Sequence, residues 1–488
     1  MTDAFRRETS PLLRRESDDD DNVQAQREAG KPRELANGAR RWTSELRLVA
    51  GYSIPLVATY LLQYCFGVVT TFVAGHLGAD DLAAASIGLT TLNIIGLAII
   101  EGMATALDTL CAQAYGSGNA AKVGLHVQRM LLLMAAACVP IGVFWVFSAP
   151  VLSLFVRQKH IAVKAGSFLR VSVVGLPGYA AFEAGKRYLQ AQGDFRTAMA
   201  VLVICAPVNA FLSWLFAFHL DMGLNGAALG AALANDLRPI LLLLFTVYGD
   251  KAKHQCWNGF TRSALRGWGP MIRLSIAGSA VTLAEWAAFE IVTFSTSYLS
   301  TTHLAVQTIL TTTAVFMWHI PFSLSVAVST RIGHLIGAGD VFSARSAAKL
   351  YAVLFLVLGF ADGLVLFALR NVIGTIFSKD EPIRDMVASC MLAVSFFQIV
   401  DSAMCYCNGM LRGLGRQHVA AWVAFFANYF AGVPLAIWLE LGPWNVGLNG
   451  VWIGLGTGMF LSAVGEGSYI ALLNWERCFG GIHFAGEA

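Results

Sequence analysis

Long apolar stretches alternate with short polar segments over most of this 488-residue chain. An apolar stretch of roughly 20 residues is long enough to cross a bilayer as an α-helix. Twelve stretches of this kind occur, and they lie near residues 49–74, 83–110, 126–149, 163–185, 197–219, 225–248, 271–299, 304–329, 346–369, 386–408, 418–440 and 448–473. The pattern therefore predicts an all-α membrane protein with twelve transmembrane helices.

Composition agrees with this prediction. Hydrophobic residues make up 56% of the chain and charged residues only 13%, and the mean hydropathy is +0.60. A soluble domain could hardly keep so many apolar side chains away from water. The formal net charge is only +3 and the basic residues are dispersed, so we expect no nucleic-acid partner. Most of the nine cysteines lie in apolar stretches, and disulfides are not implied.

Both ends of the chain are polar. Residues 1–42 contain no apolar stretch, so we expect a disordered cytosolic tail there, and residues 476–488 form a second, shorter tail. Glu8, Leu12 and Leu13 resemble an acidic dileucine sorting signal, which would bind a sorting adaptor. No stretch near the N-terminus has the form of a cleavable signal peptide.

Lysine and arginine positions predict the orientation. With the N-terminus in the cytosol, fifteen of these residues fall on inner connections and adjoining helix ends, including Lys186, Arg187 and Arg412, and six fall on outer ones. Positive charge collects on the cytosolic side, so both termini are expected there. The dileucine-like segment and the absence of N-x-[ST] acceptors in the outer connections favour the vacuolar membrane, with the plasma membrane as the alternative.

The two halves of the chain repeat each other at a nearly constant spacing. The matching pairs are Gly116-Ser117-Gly118 with Gly337-Ala338-Gly339, Gly223-Leu224-Asn225-Gly226 with Gly447-Leu448-Asn449-Gly450, Leu189 and Gly193 with Leu411 and Gly415, and Leu82-Ala83 with Leu304-Ala305. Each repeat holds an even number of spans, so a pseudo-two-fold axis along the membrane normal must relate them. We expect an N-lobe at residues 43–249, a cytosolic linker at 250–267 and a C-lobe at 268–475.

Acidic residues inside the apolar stretches of the second half are the main candidates for chemistry. They are Glu285, Glu290 and Asp401. A carboxylate at membrane depth is costly, and it is usually kept where it faces a cavity, a partner or an ion path. The positions equivalent to these acids in the first repeat are Gln63, Val68 and Tyr179, so the first lobe lacks all three. We therefore expect ion coupling mainly in the second lobe.

A carboxyl group out of water is neutral when protonated and attracts a cation when ionised. A proton and a cationic solute then exclude each other, which is what an antiporter requires. Glu285 and Glu290 are about 140° apart around a helix, so either both edge a wide cavity or one anchors a neighbouring helix. A structural acid, held by a hydroxyl of a neighbouring helix, is the alternative for each candidate.

Polar and aromatic residues within the spans are candidates for lining a substrate cleft, because aromatic faces suit organic cations. These candidates are Tyr60, Gln63, Asn93, Asn209, Trp286, Trp318 and Tyr429, and ordinary helix packing is the alternative for each.

The other charged residues within the spans are interpreted as structural. Asp108 is expected to make capping and loop contacts, and Glu183 to pair with Arg187 four residues later. Arg238 is expected to pair with Asp236 or to reach water along its stem. Asp362 and Glu466 have no evident partner in the sequence.

Several classes of protein are excluded by missing motifs. The chain has no G-x-x-x-x-G-K-[ST] loop for ATP and no cluster with metal-ligand spacing. It also shows no paired nucleophile and base, so we expect neither an enzyme nor a cofactor. The coupling ion is expected to be the proton, with sodium less favoured.

Four motifs resemble those of the multidrug and toxic compound extrusion family in its eukaryotic, fungal and plant-like branch. They are GMATALDTLCAQAYG at residues 102–116, RYLQAQ at 187–192, Glu285-Trp286 with Glu290, and GMLRGLG at 409–415. The resemblance covers about residues 45–475, and the motifs follow in the family's order.

This resemblance implies a twelve-helix, two-lobe antiporter that exports organic cations, drugs or metabolites in exchange for protons, or for sodium in some members. Glu285, Glu290 and Asp401 match acids that eukaryotic members use in the C-lobe. Relatives usually have an apolar residue at Glu101, so its role stays open. We expect a monomer whose partners are a small organic substrate and membrane lipids. The rival interpretation is a lipid or lipid-linked-sugar flippase of the same wider superfamily, which would need a strongly basic cavity.

Overall fold

The computed structural model describes residues 10–156, 158–249, 256–296, 298–378, 380–444 and 446–476, with side chains from residue 42 onward except that of Thr301. Twelve helices in this part of the chain are long and apolar enough to cross a membrane. In chain order they are α1 (Ser10–Leu77, with the span Trp42–Leu77), α2 (Ala79–Gly116), α3 (Ala120–Val146), α4 (Lys159–Ala191), α5 (Arg196–His219), α6 (Gly223–Val247), α7 (Gly269–Thr296), α8 (Thr301–Gly337), α9 (Val341–Phe377), α10 (Glu381–Gly413), α11 (Gln417–Leu441) and α12 (Leu448–Leu472).

The prediction of twelve spans is confirmed, and the helix ends differ from the predicted boundaries. Most helices continue past the apolar stretch, because a helix ends where capping and turn residues stop it and not where the lipid ends. After α3 a separate short helix follows, Ser148–Phe155. The chain is also helical from Ser10, where the sequence predicted a disordered tail. Good helix formers such as arginine, glutamate, glutamine and alanine are common in that segment.

Three of these described spans contain a wide π-helical turn. The turns lie at Asn93–Leu97 in α2, Leu215–His219 in α5 and Ala427–Gly432 in α11. Such turns are found mostly at functional positions in helices. Two predicted cleft residues, Asn93 and Tyr429, lie within them.

Among the described residues, those up to Gly51 and those from Tyr52 onward form two compact units, and the cores of both lobes belong to the second. The N-lobe buries one apolar core, which includes Leu107, Met130 and Phe168. The C-lobe buries another, which includes Leu310 and Trp452. The two cores are separate, as two lobes with their own interiors require.

The repeated glycines meet at the ends of α2 and α8. A Cβ atom on Gly116 would lie 2.2 Å from the carbonyl oxygen of His334, and one on Gly337 would lie 2.1 Å from that of Gln113. His334 and Gly337 occupy the positions in the second repeat that Gln113 and Gly116 occupy in the first. The contact is therefore reciprocal, as it must be for two units related by a two-fold axis. No side chain larger than hydrogen fits at either glycine without a shift.

The described part of the linker, residues 256–267, packs on α3. The Gln128 side chain donates to the carbonyl oxygen of Gly259 at 2.8 Å and accepts from the backbone N–H of Thr261 at 3.1 Å. The linker is thereby attached to the N-lobe. Residues 250–255, the dileucine-like Glu8 and the C-terminal residues 477–488 lie outside the described part of the chain.

Candidate functional site

The C-lobe places Glu285 of α7 against Asn408 of α10. The Asn408 side-chain amide donates to a Glu285 oxygen at 3.0 Å. Both side chains are half-buried. A neutral amide hydrogen bond orients the carboxyl group but does not balance a negative charge, so Glu285 can still attract a cation.

Asp401 lies on α10 two turns before Asn408 and is buried. Its Oδ2 atom has no hydrogen-bond partner among the described residues. Asp401 is close enough to Glu285 and Asp362 for their charges to act on it. Glu466 of α12 is also within electrostatic reach of Glu285, and neither of its carboxyl oxygens has a described partner.

We call these four residues, each of which lies within electrostatic reach of at least one of the others, the C-lobe acid cluster: Glu285, Asp362, Asp401 and Glu466. The Arg412 guanidinium is within electrostatic reach of Glu285, but within the described residues no lysine or arginine lies close enough to form an ion pair with any of the four. A site of low dielectric constant cannot hold several unpaired negative charges, so such a cluster takes up protons or cations. The sequence predicted Glu285 and Asp401 for this role and interpreted Asp362 and Glu466 as structural.

Glu290 lies apart from this cluster. Its side chain is exposed, whereas that of Glu285 is half-buried. Glu290 makes no hydrogen bond or ion pair with another described residue. The separation of the two glutamates follows from their spacing around α7.

The N-lobe holds a second buried polar group, formed by Gln63, Glu101, Tyr179, Glu183, Lys186 and Arg187. Glu183 and Lys186 are both 0% exposed. The Lys186 ammonium lies 2.8 Å from a Glu183 oxygen, and Arg187 forms an ion pair with the other oxygen. The predicted pairing of Glu183 with Arg187 is confirmed.

Gln63 and Tyr179 complete this N-lobe group. The Gln63 amide donates to Glu183 at 2.9 Å and to the Tyr179 hydroxyl at 3.3 Å. The Tyr179 hydroxyl in turn donates to Glu101. The sequence interpreted Lys186 and Arg187 as orientation signals near a helix end, and the structure shows in addition that both side chains are buried among helices.

The repeat relates the two sites. At equivalent positions, Gln63 of the first repeat is replaced by Glu285 in the second, and Lys186 by Asn408. The Lys186 ammonium donates to the Gln63 side-chain oxygen at 3.3 Å, just as Asn408 donates to Glu285. Both lobes therefore make the same helix-to-helix contact. The N-lobe pair carries a cation and the C-lobe pair an anion.

Asp108 lies where the two lobes touch. One of its oxygens is 3.4 Å from Arg187 of the N-lobe, and the other is 4.0 Å from Arg412 of the C-lobe. The expected capping role of Asp108 was wrong, because its neighbours in space are helices remote in sequence. Hydrogen bonds between the lobes gather at the same end of the bundle, where Gln113 donates to Gly413 at 3.0 Å and Ser275 to Met103 at 3.3 Å. We call this region, at the ends of α2, α4, α8 and α10, the closed end.

Three of the predicted cleft residues come together near the lobe interface. The Tyr60 ring lies 5.0 Å from that of Phe322, which stacks at 4.3 Å on Trp318. Gln63 lies one turn along α1 from Tyr60.

The other four predicted cleft residues lie elsewhere. Asn209 is buried and accepts from Ser213 at 3.5 Å, and Tyr429 packs on Phe425. Trp286 and Asn93 are half-buried. Among the described residues, no hydrogen bond or ring contact joins any of these four to the group around Tyr60.

Arg238 neither pairs with Asp236 nor reaches water. Its guanidinium lies 3.6 Å from the centre of the Phe66 ring, and the residue is 1% exposed. Its Nε and Nη1 atoms have no hydrogen-bond partner among the described residues. The expected ion pair was wrong, and the Phe66 ring face contacts the cation instead.

Two lobes with six spans each, joined at one end and carrying unpaired acids inside one lobe, define a polytopic membrane transporter. Residues 55–215 and 279–438 match the MatE family model, and the chain belongs to this family.

Known proteins resemble the chain over most of its length. An uncharacterized transporter of Saccharomyces cerevisiae is 37% identical over 448 residues, which cover 91% of this chain and 64% of that protein. Multidrug and toxin extrusion protein 1 of Homo sapiens is 28% identical over 433 residues, with 89% and 76% covered. The crystal structure of the eukaryotic MATE transporter AtDTX14 superimposes with a TM-score of 0.85 at 27% identity, over 90% of this chain and 98% of that one.

Proposed function

We propose that this protein is a secondary antiporter that exports organic, cationic compounds in exchange for protons by alternating access between its lobes. The observation that carries the proposal is the C-lobe acid cluster, in which Glu285 is half-buried beside Asn408 and has no described ion-pair partner. Drug and toxin extrusion by relatives such as the human protein supports the same direction of transport.

The mechanism uses competition for this cluster. When the acids are ionised they attract a cationic solute, and when they are protonated the attraction is lost. A proton arriving from the acidic side therefore displaces the solute. The closed end corresponds to the side that the lysine and arginine distribution predicts to be cytosolic. In this conformation the solute would leave on the opposite side.

A flippase for a phosphate headgroup would need unpaired positive charge in its cavity. The buried Lys186 and Arg187 are instead paired with Glu183. Arg238, unpaired among the described residues, is 1% exposed against the Phe66 ring, and the C-lobe cluster is acidic. These contacts favour the antiporter. Sodium as the coupling ion is the alternative that transport assays distinguish.

We also propose the vacuolar membrane as the location, with both termini in the cytosol and the segment at Glu8, Leu12 and Leu13 as the sorting signal. The protein would work as a monomer among membrane lipids. Microscopy of a tagged chain in which Leu12 and Leu13 are alanine tests the sorting signal. Unchanged vacuolar location would contradict it.

Uptake of a fluorescent organic cation into proteoliposomes tests the function. An imposed pH gradient should drive uptake by the intact protein, whereas a sodium gradient alone should not. Glu285→Gln should fold normally, and its pH-driven uptake should be at least about tenfold slower than that of the intact protein. The reason is that the charge that attracts both the proton and the organic cation is gone. Full retention of uptake by Glu285→Gln would remove this residue from the mechanism.

Glu440→Gln is the matched control. Glu440 is a buried acid of the same lobe, but hydroxyl groups already satisfy it, since Ser295 donates to one oxygen and Thr296 donates to the other at 2.6 Å. Its amide variant should therefore keep pH-driven uptake. A loss equal to that of Glu285→Gln would show that the assay reports general damage to the lobe.

A further inference from the structure

The buried ammonium of Lys186 has the surroundings of a bound ligand. It lies 2.8 Å from Glu183 and 3.3 Å from the side-chain oxygen of Gln63. The same nitrogen lies 4.6 Å from the centre of the Tyr60 ring and 5.8 Å from that of Phe182. Lys186 itself is 0% exposed.

A carboxylate, an amide oxygen and aromatic ring faces form the set of groups that recognises an organic ammonium ion. In this lobe the ion is supplied by the chain itself. The Lys186 side chain extends from α4 and places its ammonium group among these residues, so this N-lobe site is occupied without any ligand.

The second repeat has a neutral residue at the position of the lysine. The C-lobe residue at the same position is Asn408, which donates to Glu285 but brings no charge. The acid cluster of that lobe therefore has to take its positive charge from a proton or a solute. At this position, the N-lobe therefore carries its own cation and the C-lobe does not.

We propose that Lys186 is a tethered cation that occupies an N-lobe site for organic ammonium ions, and that it thereby restricts the protein to one such ion, bound in the C-lobe. The C-lobe part of this statement rests on the proposed function. The N-lobe part does not, and it is tested separately.

Replacement of the lysine should open the N-lobe site. Lys186→Asn copies the C-lobe residue, removes one positive charge and leaves Glu183 paired with Arg187. The removed lysine tip leaves room for a small primary ammonium ion, so equilibrium dialysis with radiolabelled methylammonium on purified protein should show one more bound ion per protein than the parent. The same increment of one is expected in the Glu285→Gln/Asp401→Asn background, where the C-lobe site is disabled.

Three further variants make the result specific. Lys186→Arg keeps a cation in place and should give no increment. Lys186→Ala, which removes the stem together with the charge, should give the same increment as Lys186→Asn, and it serves if the asparagine variant does not fold. Addition of Tyr60→Leu to either open variant should weaken the added site at least fivefold, because the ring face is lost.

The proposal is overturned if neither Lys186→Asn nor Lys186→Ala, folded as judged by gel filtration and circular dichroism, binds an additional methylammonium ion in either background. Failure of the proposed function looks different. In that case Glu285→Gln/Asp401→Asn leaves binding of tetraethylammonium unchanged, whatever residue occupies position 186.

Discussion

Glu183 and Glu285 are both membrane-embedded glutamates, and their neighbours assign them different roles. Glu183 is fully buried and satisfied by Lys186, Arg187 and Gln63. Glu285 is half-buried and receives one amide hydrogen bond. The first has the surroundings of a structural ion pair, and the second those of a group that exchanges its counter-ion.

At this scale we predict that Glu183→Gln is destabilising and Glu285→Gln is not. Removal of one partner of a buried ion pair leaves an uncompensated charge and costs about 3–5 kcal/mol. Glu285→Gln removes a charge that has no described ion-pair partner, so its melting temperature should equal or exceed that of the parent. Thermal unfolding of both variants in detergent measures the difference, and equal stabilities would contradict these assignments.

The sequence predicted individual residues unevenly. Glu285 and Asp401 were found because each interrupts an apolar stretch, and such an interruption can be recognised in the sequence without a structure. Asp362 and Glu466 interrupt stretches too, but their importance comes from Glu285 and Asp401 on other helices. Lys186 was assigned to a helix end because the apolar stretch ends at residue 185, whereas α4 continues to Ala191 and is covered by neighbouring helices.

Helices α2 and α8 form the symmetric contact at the closed end. Gly116 and Gly337 allow the two backbones to touch, since a Cβ atom added at either position would lie only 2.2 or 2.1 Å from a facing carbonyl oxygen. Backbone atoms cannot move aside as a flexible side chain can. The closed end therefore depends on the absence of a Cβ atom at these two positions.

Gly337→Ala should consequently open the closed end. A cysteine introduced at Ser279, which donates across the lobe interface to Ile99 at 3.0 Å, should react several-fold faster with a membrane-impermeant maleimide applied from that side. Gly456→Ala is the control, because its Cβ atom would meet only Phe397 at 3.7 Å. Alanine in a helix is favoured over glycine by about 0.5–1 kcal/mol, so the control should be at least as stable as the parent.

Equal labelling of the Gly337→Ala and Gly456→Ala proteins would mean that the closed end does not depend on this contact. The sequence identified both glycines through the repeat but not their meeting, since a repeat shows equivalence and not proximity. Hydropathy likewise located all twelve helices but gave no sign of the π-helical turns at Asn93 and Tyr429, because such a turn inserts one residue without changing polarity.

In the whole molecule, the two lobes share one plan and differ in charge. Asp108 lies between Arg187 and Arg412 where the lobes meet, so closure brings opposite charges together. Away from the closed end, each lobe keeps its own core and its own polar site. This division allows the lobes to move as bodies while the C-lobe cluster changes its counter-ion.

The six-plus-six arrangement was predictable from the sequence because repeats and apolar stretches are periodic features. The prediction that coupling lies mainly in the second lobe remains a prediction. The structure adds a reason for it, since the N-lobe acid Glu183 is already paired with cations of the same helix. The sequence did not reveal this pairing, because Lys186 was interpreted there as one of the basic residues that indicate the orientation in the membrane.

The central claim is that protons and an organic cation compete for the C-lobe acid cluster, and proton release on binding tests it most directly. Isothermal titration of tetraethylammonium into purified protein, in buffers of different ionisation enthalpy, counts the protons released per bound ion. The account predicts release by the intact protein, weaker binding as the pH falls, and no release by Glu285→Gln/Asp401→Asn. Binding that releases no proton and does not change with pH would contradict it.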